Sequence, residues 1–368
     1  MTKAPLVALL AALQLATVSP ALSAAESPKL PTTTRKIVLE KTDTGYRWKL
    51  IQAPVSALGE HQVLIRVRAV ALNRGDLEML EPDAGNDHSG LVVASDAAGD
   101  VVAVGSQVQG LQAGARVTSL YFKNWTDGPP NDEKMSKAHG ATVDGVLGEY
   151  IVLDDTAVAP VPSSLTYEEA ATLATAGLTG WMASTGHRAI QPGDVVLVQG
   201  TGGVSMFALQ FAAAQGARVI ATSSSNEKLD RAKAFGADEV INYKQTPAWP
   251  KRVMELTERH GADVVVDVGG KATLPLSVES LAYNGTLSIV GGLTGYGGEI
   301  PALGLLLKTA SAQGIYVGSR ADYLRMCEFI SKHQIHPVID RVFPLEQYDE
   351  ALKHMASGNF VGKIVLRF

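Results

Sequence analysis

The segment Val195-Val-Leu-Val-Gln-Gly200-Thr201-Gly202-Gly203-Val204-Ser205 sets a short apolar run against a glycine turn and then a helical pattern. Such a turn brings backbone N–H groups close to a phosphate, and the N-terminus of the following helix favours negative charge. Gly200 permits the tight turn and Gly202 lets the backbone approach a pyrophosphate. Ser205 stands where a third glycine usually packs against the strand. Val204, Phe207, Ala208 and Phe211 share one helical stripe, so the amides at the turn face outward. The chemistry predicted is dinucleotide binding, with Gly200, Thr201, Gly202, Gly203 and Val204 around the pyrophosphate.

Which dinucleotide is read from the next strand, which ends Ala221-Thr222-Ser223-Ser224-Ser225-Asn226. A site for NAD normally places Asp or Glu there to hold the ribose 2′-hydroxyl. Two like charges about 4 Å apart at an effective dielectric near 20 repel by roughly 4 kcal/mol, so an acid would exclude a 2′-phosphate. None is present. Ser223 and Ser224 leave room and can donate hydrogen bonds, with Lys228 and Tyr243 as expected neighbours. The competing reading makes Lys228 a solvated helix residue and Tyr243 an ordinary strand-end aromatic. The expected cofactor is NADPH, ahead of NADH.

Other chemistries are excluded by what the 368 residues lack. A single cysteine, Cys327, rules out an internal disulfide and any zinc site needing two thiolates. It lies in a helical pattern over 323–331, where a buried thiol is expected. No GxSxG nucleophile elbow occurs. His139, in the polar loop 123–140, and His187 have no suggested partner and read as surface residues. With 32 basic against 37 acidic residues, a net charge of −5 and no Lys/Arg run, nucleic acid is not an expected partner.

Two kinds of element must position these residues. Residues 35–160 are β-rich, with strands at 36–39, 63–72, 99–104, 116–120 and 148–153. Val63, Ile65, Val67 and Ala69 alternate with polar positions, as a strand with one wet face does, and a partly closed barrel follows. Beyond Pro160, strands at 195–199, 218–222, 239–242, 264–267, 286–290 and 314–317 alternate with helices, the pattern of a parallel sheet. Asn226 is the expected N-cap of the helix at 227–235. Ligands bind such sheets at the C-terminal strand ends, where Gly291, Gly292, Gly318, Ser319 and Arg320 would let the backbone meet a nicotinamide. A helix at 345–356 and a strand at 363–368 return to the first pattern. The fold class is therefore α/β: a barrel domain over 34–160 completed by 340–368, and a doubly wound parallel-sheet domain over 161–339.

Residues 1–25 read as an export signal, with Lys3, an apolar run over 4–18, Ser19 and Pro20 as breakers, and cleavage after Ser23 or after Ala25. The run is short of the roughly 20 residues that span a bilayer, so no membrane span is expected. The alternatives are a helix packed on the domain or a start codon placed too far upstream. The signal implies a periplasmic or secreted protein; without it, the expectation is cytoplasmic.

Together with Ala170-Ala-Thr-Leu-Ala-Thr-Ala-Gly-Leu-Thr-Gly-Trp181 and the closing Gly362-Lys-Ile-Val-Leu366, these motifs resemble the medium-chain dehydrogenase/reductase superfamily over residues 35–368. The resemblance implies a GroES-like barrel beside a Rossmann domain, an active site in the cleft between them, and a homodimer through the edge strand near 314–317. Zinc members of the superfamily bind metal through a Cys, a His-Glu pair and a second Cys. Here Asn73 stands at the first position and Ser95-Asp96 at the pair, and 121–140 lacks the cysteines of a structural zinc site. The nearest branch is the zinc-independent quinone oxidoreductase-like one.

The resemblance carries Asn73 and Thr179 over as cleft contacts at the nicotinamide end, while Asp96 reads equally as a structural polar residue. Tyr121, expected at the end of a strand facing the cleft, is the candidate donor to a substrate oxygen, with Phe122 and Trp125 as an aromatic wall; core and loop packing is the competing reading. Without a Lewis acid, conjugate reduction is the easier reaction, because charge spreads over a longer π system. The expected function is hydride transfer from NADPH to a quinone or α,β-unsaturated carbonyl without metal. The alternatives are a metal-free alcohol dehydrogenase acting on a specific alcohol or aldehyde, and an NADPH-binding sensor without turnover, which an exported location poor in NADPH would favour.

Overall fold

Partial alternation in 62–71 produces a strand whose Val63, Ile65 and Val67 enter a core while Arg66 stays wet and Leu64 and 69–71 are buried as well. A computed structural model of the protein describes residues 30–82, 86–186 and 188–368. The leader expected over 1–25 and His187 lie outside the described residues. The hairpin β1 (Thr33–Thr42) and β2 (Gly45–Pro54) turns at Gly45, whose φ of +137° suits glycine. It leads into β3 (Gln62–Ala71), α1 (Arg74–Glu78), β4 (Asp96–Val104), β5 (Arg116–Ser119), α2 (Asp132–Met135), β6 (Tyr150–Asp154) and β7 (Val158–Pro160).

A capped turn, α3 (Tyr167–Ala171), then runs through a π-helical turn at Leu173–Gly177 into α4 (Leu178–Thr185). Single π turns of this kind interrupt helices frequently at functional sites. The second sheet begins with β8 (Val195–Gln199), α5 (Gly203–Ala214), β9 (Arg218–Ser223), α6 (Asn226–Ala234), β10 (Glu239–Asn242) and α7 (Trp249–Leu256). It continues with β11 (Ala262–Asp267), α8 (Leu274–Ser280), β12 (Leu281–Ile289), α9 (Ala302–Lys308) and β13 (Ser311–Gly314). After α10 (Arg320–His333), the chain closes with β14 (Ile339–Pro344), α11 (Tyr348–Ala356) and β15 (Lys363–Arg367).

The six strands β10-β9-β8-β11-β12-β13 pair in parallel, with the order reversing at β8, the first strand laid down. That reversal places the glycine turn at the switch point where open α/β sheets bind ligands. The other sheet runs β14-β15-β3-β4-β5-β7 with β6 on β3, so the last two strands rejoin the first sheet.

Several expectations shift. Ser225, not Asn226, caps α6, accepting the Lys228 N–H. The edge strand lies at Ser311–Gly314, not 314–317. Val317 takes φ +59°, a left-handed conformation costly for a β-branched residue, so the chain leaves the sheet over 315–317, with Ile315 and Val317 buried and Tyr316 exposed. The loop 123–140 contains α2, capped by Asn131, and bridges from Phe122 to Ala138.

Candidate active site

The dinucleotide turn fits its expected ligand. Gly200 has φ +72°, and a Cβ on Gly202 would meet open space, so backbone there is bare. Among the described residues, no protein group accepts from the N–H groups of Thr201, Gly202 or Val204, while Gly203 follows the parallel bridge from Gly202 to Gly362. Ser205 is buried and donates to the Gln199 carbonyl at 2.7 Å, tying the helix start to the strand as a third glycine would by contact. Gly180 allows α4 to cross α5 closely, since a Cβ there would lie 2.8 Å from Phe207 Cβ, and the crossing fixes buried Thr179 beside the turn's helix.

At the ribose end, Ser223 is buried and Ser224 half-buried. Lys228 donates to the Gly358 carbonyl, so its ammonium is fixed; burial is the main cause of its lowered pKa, and nearby Lys244 adds to it. Tyr243 is exposed next to Lys244. Lys244, which the sequence reading did not single out, lies close enough to Lys228 to act on its charge. The Lys228 ammonium and small hydroxyls suit a phosphate.

Beneath the cleft lies a polar cluster assembled from distant segments. Asp96, fully buried at the start of β4, accepts four hydrogen bonds: from Asn73 Nδ2 (3.1 Å), Ser95 Oγ (2.8 Å), Thr175 N–H (3.1 Å) and Thr175 Oγ1 (2.5 Å). The π turn supplies both Thr175 groups. Asn73 Nδ2 also reaches Ser95 Oγ at 3.3 Å, and Asn73 Oδ1 accepts from Lys363 Nζ at 2.6 Å. Lys363, buried itself, donates as well to the Leu72 carbonyl. Burial lowers its pKa, and the charges of Asp96 and Asp76 oppose that shift.

The cluster revises the expectation for Asn73. Its amide hydrogens and oxygen are engaged within the protein, so it orders the site instead of presenting a free donor. Zinc takes thiolate, imidazole or carboxylate ligands. Here Asn73 offers an amide, Ser95 and Thr175 offer hydroxyls, and Asp96 is saturated by four donors beside an ammonium-bound asparagine. This donor set does not fit a zinc ion.

Phe122 and Trp125 are buried in a hydrophobic cluster, as the packing reading had it, with Tyr121 packed against that cluster. Tyr121 lies two residues beyond β5, and its hydroxyl meets that of Tyr316 at 2.9 Å. Its ring packs edge-on against Phe122 at 4.7 Å, and Phe122 lies 5.9 Å from Trp125. Burial, with the Tyr316 hydrogen bond second, raises the Tyr121 pKa and keeps the phenol protonated. Tyr316 reaches it from the turn after β13, and no motif marked it.

At the strand ends, Gly291 and Gly292 accommodate close neighbours. A Cβ on Gly292 would lie 2.7 Å from the ring of Tyr296, whose hydroxyl bonds Glu78 of α1 at 3.3 Å. A Cβ on Gly318 would press on Met182 and Leu178. The amides of Tyr316, Val317 and Gly318 have no acceptor among the described residues. Ser319 and Arg320 have other partners: Ser319 caps α10 through Asp322, and Arg320 donates to the Trp125 and Val158 carbonyls. His139 is buried, correcting its surface reading. Its Nδ1 pairs with the Leu120 carbonyl at 2.8 Å, and burial lowers its pKa. Cys327 is buried as expected, its thiol pushed up to about 12 by burial.

A GroES-like barrel sheet, a Rossmann sheet and the glycine turn at its switch point define the class, an oxidoreductase of the dehydrogenase type. The chain belongs to the medium-chain dehydrogenase/reductase superfamily. It matches the alcohol dehydrogenase GroES-like domain over residues 59–163 and the zinc-binding dehydrogenase domain over 203–332. A zinc-type alcohol dehydrogenase-like protein of Schizosaccharomyces pombe is 40% identical over 326 residues, covering 84% of this chain and 92% of that one. A quinone oxidoreductase-like protein 2 homolog of Nematostella vectensis is 30% identical over 322 residues, covering 84% and 82%. The crystal structure of a putative alcohol dehydrogenase from Sinorhizobium meliloti superposes with a TM-score of 0.87 at 39% identity, covering 92% of this chain and all of that one.

Proposed function

We propose that the protein is an NADPH-dependent, metal-independent reductase of quinones or α,β-unsaturated carbonyls. The observation that carries this reading is the closed polar cluster. Its hydroxyl and amide hydrogens all end on Asp96 or Ser95, and this supports assigning the hydrogen bond to the substrate to the Tyr121–Tyr316 hydroxyl pair. When bound, the dinucleotide supplies a hydride. The turn from Thr201 to Val204 would hold its pyrophosphate, and Ser223, Ser224, Lys228 and Tyr243 its 2′-phosphate. The free amides near Val317 and Gly318, together with Thr179 and Gly292, would orient the nicotinamide end.

Tyr121 donates a hydrogen bond to the substrate oxygen, and its raised pKa keeps that proton in place until negative charge develops there. Tyr316 orients the phenol by sharing one of the two hydroxyl protons. A donor of this strength suits an enolate or hydroquinone anion, whose charge is spread, better than a localised alkoxide. The test is initial-rate oxidation of NADPH and NADH with quinones, enones, simple ketones and aldehydes. Turnover with enones or quinones and a preference for NADPH support the reading, whereas tight NADPH binding without turnover contradicts it.

The exposed Leu303, Leu306 and Leu307 on α9, beside the unpaired edge of β13, support a homodimer across that edge. The grammar of residues 1–25 supports export, tested by N-terminal sequencing of the periplasmic or secreted fraction. Among the described residues, no helix is long and apolar enough to cross a membrane.

A further inference from the structure

We propose that a cavity beside Tyr316 binds the apolar tail of the reducible substrate, so that the preferred acceptor is a long-chain enone or an alkyl-tailed quinone. This inference rests on the reductase reading and names its substrate class. The cavity, of about 620 Å³, falls within the range of roughly 300–1,000 Å³ typical of small-molecule pockets. Three elements wall it: the barrel loop through Trp125, Pro129 and Met135, helix α4 through Met182, and the turn after β13 through Ile315 and Val317.

Tyr316 is the link to the chemistry. It lines the cavity, its ring packs edge-on against Phe122 at 5.4 Å, and its hydroxyl bonds Tyr121. A substrate whose oxygen accepts from Tyr121 would pass its remaining chain along Tyr316 into this space. The walls hold few groups that would favour a polar ligand. The Asp127 carboxylate accepts from the Gly128 N–H, Asp322 and Arg325 pair with each other, and Gln313 Oε1 is a buried acceptor without a partner among the described residues. Apolar walls reward methylene groups by about 0.8 kcal/mol for each one buried, roughly fourfold in affinity.

The test is a series of straight-chain enones from pentenone to dodecenone, assayed with NADPH, together with calorimetric binding of the saturated ketone dodecanone to the nucleotide-free protein. The expected result is that kcat/KM rises about twofold to fourfold per methylene, that Met135→Trp flattens this slope, and that dodecanone binds and competes with dodecenone. Turnover of pentenone with no dependence on chain length and no dodecanone binding overturns the tail site while leaving the reductase reading intact. Dodecanone binding that Met135→Trp weakens, with no enone or quinone reduced, supports the tail site and removes the reductase reading.

Discussion

Lys363 donates its hydrogen bond to Asn73, a residue 290 positions earlier, while its stem fills the space beside Gly203, where a Cβ would lie 2.5 Å from Lys363 Cδ. One side chain therefore ties the dinucleotide turn to the polar floor of the cleft. The Gly202–Gly362 bridge and the Gly362 N–H bond to the Thr201 carbonyl (2.8 Å) hold the two strands' ends together at the same point.

Lys363→Met keeps the stem and removes the ammonium, leaving Asn73 Oδ1 and the Leu72 carbonyl without their donor. Each unsatisfied buried acceptor costs about 1–3 kcal/mol. The expected outcome is a lower unfolding midpoint and at least a tenfold fall in kcat/KM, with Lys363→Arg recovering part of it. Thermal melts and steady-state kinetics on both variants check this.

Gly203→Ala acts on the same contact from the other side. The added methyl displaces a stem pinned at its ammonium end, so NADPH affinity is expected to fall about tenfold or more while the fold persists, as overpacking typically costs about 1–3 kcal/mol. Circular dichroism and a nucleotide titration separate the two effects.

Cofactor choice is carried by the end of β9. Ser224→Asp places a carboxylate where the 2′-phosphate is expected and should lower the NADPH-to-NADH ratio of kcat/KM by at least about tenfold, through like-charge repulsion. Lys228→Ala is expected to weaken NADPH binding about tenfold and leave NADH binding nearly unchanged. Equal losses for both nucleotides would remove these residues from the phosphate site.

Stability should depend on Asp76. Burial pushes its carboxyl up to about 7, the Asn73 N–H and the Lys363 charge opposing this and the Asp96 charge adding to it. The unfolded carboxyl titrates near 4. Between about pH 4 and pH 7 the native state thus holds a proton that the unfolded chain has lost, so stability falls as pH rises through that window. Urea midpoints against pH should show this slope in the parent and a flatter profile in Asp76→Asn.

The donor role of Tyr121 predicts that Tyr121→Phe lowers kcat by roughly 10²-fold, the scale of a lost positioned donor, with a small change in KM. Tyr316→Phe should be milder, since the Tyr121 hydroxyl survives. Equal effects of the two variants on KM alone would assign the pair to packing.

The Rossmann sheet was legible because its strands are short buried runs with glycine punctuation, and β8 and β10 lie where their patterns place them. Strand β2 was not, because its Arg47 and Lys49 face solvent against Glu40 and dilute the apolar signal. β13 was displaced because an apolar run reads as strand whether it is extended or, as at Val317, turned by a left-handed residue. The polar cluster was hidden for a different reason. Asn73, Asp96, Thr175 and Lys363 meet only through tertiary structure, and nothing local to Lys363 marks it as buried. His139 was misread in the same way, since its partner, the Leu120 carbonyl, is a backbone group 19 residues away.

The central claim, conjugate hydride transfer without metal, is tested most directly by using NADPH deuterated at the transferring position with an enone and locating the label in the product. The account predicts deuterium at the β-carbon of a saturated ketone, with the rate unaffected by metal chelators. Deuterium at the carbonyl carbon of an allylic alcohol would contradict it and assign the protein to alcohol dehydrogenase chemistry.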